Sequence, residues 1–276
     1  MLSWIRISSV ALLFAALLVL PSHAQNTEQL EVGPPPFHRA DPPAPGASPE
    51  ELEKRGDELR ESKNYLDAID FYQAALKGAP ANASLLNKIG ICQLQLHRLN
   101  ESRKTLERAV RIDHKQSDAY NNLGVVYYSL GVNTRRSGDF AKAIKMYDKS
   151  IALSNQYASY FNNRAAAYFA TKQYERASAD YAIALQLDPD IFERTSRSGV
   201  QAMLSSPEER ARYEYVVAKL YAKAGDDDRS LHYLRKAMED GYKDIKNVYK
   251  DNEFSTLRKD PRFTELMASK TPAIPD

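Results

Sequence analysis

The feature that most limits how this chain can fold is a pattern that returns every 34 residues. Residues 158–189, ASYFNNRAAAYFATKQYERASADYAIALQLDP, hold two amphipathic helical stretches broken near Thr171–Gln173. With Ala158 as position 1, the unit has Ala165 at 8, Tyr168 at 11, Tyr174 at 17, Ala177 at 20, Tyr181 at 24, Ala184 at 27 and Pro189 at 32. Small residues at a helix crossing let the axes approach to roughly 8–10 Å, and large residues beside them fill the grooves. Such a pair cannot bury its apolar faces alone, so it needs copies of itself as neighbours.

The copies are present. A frame starting at Pro49 gives Gly56, Leu59, Tyr65, Ala68, Tyr72, Ala75 and Pro80. One starting at Ala83 gives Gly90, Gln93, Leu99, Ser102, Leu106, Ala109 and His114. A third, from Ser117, gives Gly124 and Tyr127, slips by seven residues, and resumes at Phe140, Ala143, Tyr147 and Ser150. Seven residues are about two helical turns, so the added VNTRRSG region is expected to lengthen the first helix or its turn without much rotating the apolar face. A fifth copy starts at Ala211, with Ala218, Tyr221, Ser230, Leu234 and Ala237, and with Tyr242 in place of the closing proline.

This set of positions resembles the tetratricopeptide repeat. The resemblance is carried by a small residue at 8, an aromatic at 11, Ala at 20, an aromatic at 24, Ala at 27 and Pro at 32, and is strongest over residues 49–191. It implies an all-α fold, a right-handed α-solenoid of stacked antiparallel helix pairs. The expected divisions are four repeats over 48–191, an interruption over 192–205 with a short helix around Gly199–Leu204, a degenerate fifth repeat over 206–243, and capping helices with a tail over 244–276. Ser48-Pro49-Glu50-Glu51 and Ser206-Pro207-Glu208-Glu209 are helix-start signals, each a capping Ser, a first-turn Pro and a Glu that closes a capping box. Phe254, Leu257, Phe263 and Leu266, around Asp260-Pro261, resemble the endings of bacterial tetratricopeptide arrays, where the last apolar face has to be hidden.

The start of the chain reads differently. Met1–Ala24 has one basic residue, Arg6, then the apolar run Val10–Leu20, then small residues Ser22 and Ala24 before Gln25. This is the pattern of a cleavable secretory signal, and the run is short for a bilayer span. The expectation is an exported protein, periplasmic or secreted, from a bacterial source, with no stable membrane insertion after cleavage. Residues 25–47, with Pro34, Pro35, Pro36, Pro42, Pro43 and Pro45, are expected to form an extended linker. Loss of Arg6 takes the formal charge from +2 to +1, so the whole chain carries no general field for nucleic acid or anionic lipid.

Little in the chain can do chemistry. His38, His97, His114 and His232 are scattered singly, and Cys92 is the one cysteine, which precludes an internal disulfide and any Cys-based zinc set. Cys92 occupies position 10 of its repeat, where others carry Val126 and Ala167, so it reads as a small core residue. Asp226–Asp228 reads as a run that favours a helix start rather than a metal site. There is no glycine-rich phosphate loop and no nucleophile elbow. The reading is a non-enzymatic chain with no catalytic residues, no metal and no cofactor.

Binding has more support. In this family the first helices of successive repeats line a concave groove, and positions 2, 5, 9 and 12 face it. The resemblance therefore implies a peptide groove formed by Asn87, Ile91 and Leu94 of the second repeat, and by Asn121, Val125 and Tyr128 of the third. The fourth and fifth add Asn162, Phe169, Tyr215 and Lys219. An amide offers a donor and an acceptor together, which suits an extended peptide backbone. Asn122 and Asn163, one position on, read instead as satisfying helix ends and neighbouring repeats. The family's clamp for an acidic chain end is missing: Glu53 and Asp57 stand in its first repeat, and Asn121 and Val125 in its third. Arg212, Tyr215 and Lys219 suggest a basic end to the groove. The expected function is a protein-interaction scaffold that holds an extended segment of a partner. The alternative is a structural subunit of a cell-envelope assembly, joined to itself or to other proteins through its convex face or its ends.

Overall fold

A computed structural model describes residues 40–193 and 207–269. The signal segment 1–24, residues 25–39 of the Pro-rich linker, Ser206, the short helix expected at Gly199–Leu204 and residues 270–276 lie outside the described residues. Eleven α-helices and three 3-10 turns are described, and no strand is found among the described residues. The helices are α1 (Pro49–Glu61), α2 (Tyr65–Gly78), α3 (Ala83–Gln95), α4 (Leu99–Ile112), α5 (Ser117–Thr134) and α6 (Ser137–Leu153). They continue as α7 (Ala158–Ala170), α8 (Tyr174–Leu187), α9 (Pro207–Ala224), α10 (Asp227–Glu239) and α11 (Pro261–Ala268). Each odd helix packs on the even helix that follows it, and each even helix packs on the next odd one, which makes an α-solenoid. The first helices of successive pairs touch, α3 with α5 and α5 with α7, whereas the second helices make no comparable contact. First helices therefore line the inner face and second helices fan out on the convex one.

Within a pair, the crossing works through missing volume. A Cβ added to Gly56 would lie 2.5 Å from the Tyr72 ring, one at Gly90 2.5 Å from Leu106, and one at Gly124 2.5 Å from the Tyr147 ring. In the fourth and fifth pairs Ala165 and Ala218 face Tyr181 and Leu234, all buried. Where position 20 is serine it also ties the pair: Ser102 Oγ donates to the Gly90 carbonyl at 2.7 Å, and Ser230 Oγ to that of Ala218 at 2.9 Å. The start of α1 has its full capping box, with Ser48 N–H on Glu51 Oε2 at 2.9 Å and Glu51 N–H on Ser48 Oγ at 3.2 Å.

The turn between the two helices of a pair is also repeated. Lys63 (φ 62°), His97 (φ 56°), Lys172 (φ 60°) and Gly225 (φ 80°) all stand at position 15 and are left-handed. The residue after each closes the helix end, as in Asn64 N–H to the Leu59 carbonyl (2.8 Å) and Gln173 N–H to that of Tyr168 (2.8 Å). The seven-residue insertion is shared out. Against the 13-residue α3 and α7, α5 has 18 residues, and against the 14-residue α4 and α8, α6 has 17. The turn between them is reduced to Arg135 and Arg136, so the sequence expectation of one lengthened helix or turn becomes two lengthened helices and a shorter turn. The added turn of α5 packs closely at Gly131, where a Cβ would lie 3.0 Å from the Phe140 ring, and Phe140 in turn meets Tyr128 edge-on at 5.4 Å.

The fifth pair joins the fourth through an aromatic cluster. Tyr213 of α9 sits 5.1 Å from Tyr181 and 6.4 Å from Phe169, and Phe192 lies 6.0 Å from Tyr221. Beyond α10, Val248, Phe254, Leu257, Phe263 and Leu266 are buried in one cluster with Leu234 and Ala237. Asp260 caps α11 by accepting from the N–H of Arg262 at 2.9 Å, and Pro261 opens it. Glu214 of α9 is buried with Oε2 unpartnered, and burial, then the nearby Asp240 carboxylate, pushes its carboxyl up to about 7.

Glycine is the residue that tolerates a left-handed backbone without a Cβ clash. Lys172→Gly is expected to raise stability by about 0.5–1 kcal/mol in urea unfolding followed by far-UV circular dichroism, and an unchanged or lower midpoint would contradict that reading. Glu214 gives a second expectation. Because its folded pKa is raised, the folded state holds a proton that the unfolded chain releases at lower pH, so stability falls as pH rises from the ordinary carboxyl range through about 7. Glu214→Gln should remove that part of the pH dependence and stabilise the protein at pH 8, as read by melting temperature across the range.

Candidate peptide groove

The inner face divides into an open end and a closed remainder. In α1, Glu53, Asp57 and Arg60 are half-buried, and in α3, Ser84 is exposed while Lys88 and Ile91 are half-buried. In the third and fourth pairs the matching positions are shut: Asn121, Val125, Tyr128, Ser159, Asn162, Ala166 and Phe169 are all buried, and only Asp118 at the start of α5 is exposed. The physical reason is the neighbouring helices. Tyr128 packs on Phe140 from the lengthened α6, and Phe169 is held between Tyr174, Tyr181 and Tyr213. Burial, and next the charge of Glu209 from the start of α9, raise the Tyr128 hydroxyl pKa.

The asparagines of positions 5 and 6 form one chain of amides that runs through three pairs. Asn163 Nδ2 donates to Asn121 Oδ1 at 3.0 Å, Asn121 Nδ2 to Asn122 Oδ1 at 3.4 Å, and Asn122 Nδ2 to Asn87 Oδ1 at 3.0 Å. Asn87 and Asn121 thus accept from the position 6 asparagine of the next pair, and their amides hold the stack together. Asn162 is buried, and its side chain makes no hydrogen bond among the described residues. Leu94 and Val125 belong to the core cluster between the second and third pairs. Tyr215 donates to Asp251 Oδ2 at 2.9 Å and stacks on Tyr242 at 4.5 Å.

Charge on the inner face is largely compensated. Lys88 Nζ bonds Glu53 Oε1 at 2.8 Å and Asp57 Oδ2 at 2.6 Å, joining the first two pairs. Tyr72 donates to Asp57 Oδ1 at 2.7 Å and accepts from Arg60 Nε at 3.2 Å. Burial alone would push the Asp57 carboxyl up, but the bonds from Lys88 and Tyr72 outweigh it and hold it below its ordinary value. At the other end Lys219 pairs with Asp251 (3.0 Å) and Glu253 (3.3 Å), and Arg212 lies 4.6 Å over the Tyr174 ring. Of the basic end expected from Arg212 and Lys219, Lys219 is therefore neutralised by carboxylates that follow the fifth pair, a contact that sequence spacing does not announce, while Arg212 rests on the Tyr174 and Tyr242 rings. Of the ten groove residues named from the sequence, only Ile91 and Lys219 are not buried, and Lys219 is paired.

Burial pushes the Cys92 thiol up to about 12, which leaves it a core residue without thiolate character at neutral pH. Among the described residues, no group of three or more His, Cys, Asp or Glu is placed to hold a metal ion, and no helix is long and apolar enough to cross a membrane. The amide chain makes a testable contrast. Asn122→Ala leaves Asn87 Oδ1 without its donor in a buried site and is expected to cost about 1–3 kcal/mol, whereas Asn162→Ala, which removes no hydrogen bond, should cost clearly less. Equal losses in parallel urea titrations would mean that the amide chain contributes nothing of its own.

Comparison with known proteins agrees with this architecture. Tetratricopeptide repeat models match residues 82–156 and 158–191. The inactive TPR repeat-containing thioredoxin TTL3 of Arabidopsis thaliana is 33% identical over 93 residues, covering 33% of this chain and 14% of that protein. The chain thus spans about one seventh of the length of that curated relative. A crystal structure of a thermophilic tetratricopeptide protein of Thermus thermophilus superposes with a TM-score of 0.51 at 20% identity, over 80% of this chain and all of that one. The chain carries tetratricopeptide repeats over residues 82–156 and 158–191, stacked in an α-solenoid of the kind such repeats form.

Proposed function

We propose that this protein is a non-enzymatic interaction scaffold that holds an extended segment of a partner protein at the open end of its inner face. The observation that carries the reading is the contrast in accessibility along that face. Glu53, Asp57 and Arg60 of α1 and Ser84, Lys88 and Ile91 of α3 remain reachable although Asn87 and Leu94 are buried, whereas in α5 and α7 every counterpart but Asp118 is buried. At the open end, Ile91 offers a half-buried apolar foothold beside the cluster of Lys88, Arg60, Glu53 and Asp57, whose two positive and two negative charges balance. Such a site suits a peptide that brings an apolar side chain and polar backbone rather than an acidic chain end. The pattern of Met1–Ala24 adds export to the same proposal, with the partner outside the cytoplasm.

A second reading, that the protein is a structural subunit using its convex side, is favoured by one observation. Ile112, Leu153, Ile183 and Leu187, all on second helices, are exposed large aliphatics. The two readings separate in one experiment: crosslinked affinity capture from envelope extract with the native protein, Ile91→Asp and Leu187→Asp side by side. Capture lost with Ile91→Asp and kept with Leu187→Asp is the expected result. The reverse pattern would move the binding surface to the convex side and overturn the inner-face proposal.

A further inference from the structure

The convex surface carries an ordered arrangement of its own. On α4, Lys104, Arg108 and Ile112 are all exposed and stand four residues apart, so they form one stripe along the helix with steps of roughly 6 Å. On α6 the same repeat positions hold Lys145, Lys149 and Leu153, again exposed. On α8 they hold Ala179, Ile183 and Leu187. The opposite face of each helix is core, through Leu106, Tyr147 and Tyr181. Three neighbouring second helices thus show a basic block on α4 and α6 and an aliphatic border that runs along their C-terminal ends and spreads over α8. The flanking pairs break the pattern, with Asp70, Ala74 and Gly78 before it and His232, Lys236 and Asp240 after it.

The four acidic residues of α4 and α6 are all engaged, Glu101 by Arg98 at 3.8 Å. Glu107 is taken up by Arg103 (3.1 Å) and by the Tyr127 hydroxyl (2.8 Å), Asp139 by Lys142 (3.2 Å), and Asp148 by Arg164 (2.8 Å). Helices α4 and α6 together hold seven Lys and Arg against four Asp and Glu, a net of +3 in a chain whose total is +2. Near-neutrality overall therefore hides a local positive field on one side of the solenoid.

We propose that this convex face of the second to fourth pairs docks on an anionic lipid bilayer, with the cations at the headgroups and the aliphatic border dipping into the interface. Long basic side chains on open stripes ask for a diffuse negative surface, and they need no pocket to receive it. Aliphatic side chains between about 37% and 43% exposed, set along one edge, supply the apolar area that interfacial binding adds to electrostatic attraction. An acidic peptide would use the charges but leave the aliphatic border in water, which is why a bilayer is the better fit. The inference is independent of the inner-face reading, because the two surfaces lie on opposite sides of the helix pairs.

Co-sedimentation of the full chain with vesicles of phosphatidylglycerol and phosphatidylcholine, against phosphatidylcholine alone, tests it. The native protein should bind the anionic vesicles selectively and release in high salt. Neutralising one cation near such a surface lowers affinity about fivefold, so Lys104→Gln, Lys145→Gln and Lys149→Gln together should cost roughly 100-fold, and the matching Lys→Arg triple should restore binding. Leu153→Ser with Leu187→Ser should weaken binding by about tenfold while leaving its salt dependence in place. Unchanged melting temperatures, expected because every substituted side chain is exposed, keep the comparison clean. Equal binding by the native protein and the Gln triple overturns the proposal by placing the lipid contact elsewhere. So does a charge-dependent retention on polyglutamate without any vesicle binding, which would assign the face to an acidic protein.

Discussion

The close crossing of two helices at a residue without a side chain, or with only a methyl group, is the contact on which the rest of this structure depends. At Gly56, Gly90 and Gly124 the ring or branched side chain from the partner helix occupies the place a Cβ would take. Interiors pack at near-crystalline density, so the small partner and the large one have to be matched. Matching sets the angle of each pair, and that angle sets how the next pair can lie against it. Stacking follows because a single pair leaves half its apolar surface uncovered, and each added pair covers its neighbour.

Polar groups in the seams between pairs are organised by the same geometry. The chain from Asn163 through Asn121 and Asn122 to Asn87 satisfies buried amides that would otherwise oppose stacking. Arg164 does comparable service at the next level, binding Asp180 through Nε at 2.7 Å and Asp148 through Nη1 at 2.8 Å, so that α6, α7 and α8 are joined by one guanidinium. Binding surface is consequently restricted. Residues committed to holding the pairs together are less free to face a ligand, and among the first two pairs that leaves Ser84 and Ile91 of α3.

Several of these features are legible in the residues themselves. The spacing of Gly56 and Tyr72, or of Ala165 and Tyr181, follows from helical geometry and needs no coordinates. The capping box at Ser48 and Glu51 is local and equally plain. The asparagines are legible as a pattern but not as a network. By sequence, position 5 reads as facing a ligand and position 6 as facing the neighbouring repeat, whereas the structure links the two positions in a single chain. An amide's partner depends on the rotation between pairs, which no periodicity encodes. The left-handed Lys63, His97 and Lys172 carry no sequence signal of their own, because glycine stands at that position only in the fifth pair (Gly225) and, in the slipped register, in the third (Gly138).

What the amino-acid order determined is everything that acts over a few turns of helix: the repeat length, the helix starts, the small-against-large crossings and the buried thiol. Helical periodicity and local capping set these, and both are properties of near neighbours in the chain. What only the tertiary structure decided is how surfaces far apart in sequence are used. It placed Asp251 and Glu253 on Lys219, carried Tyr213 onto Phe169 and Tyr181, and spread Lys104, Arg108, Lys145 and Lys149 over one convex face. Each of these depends on the rotation from one pair to the next, and that rotation is a result of packing the whole stack.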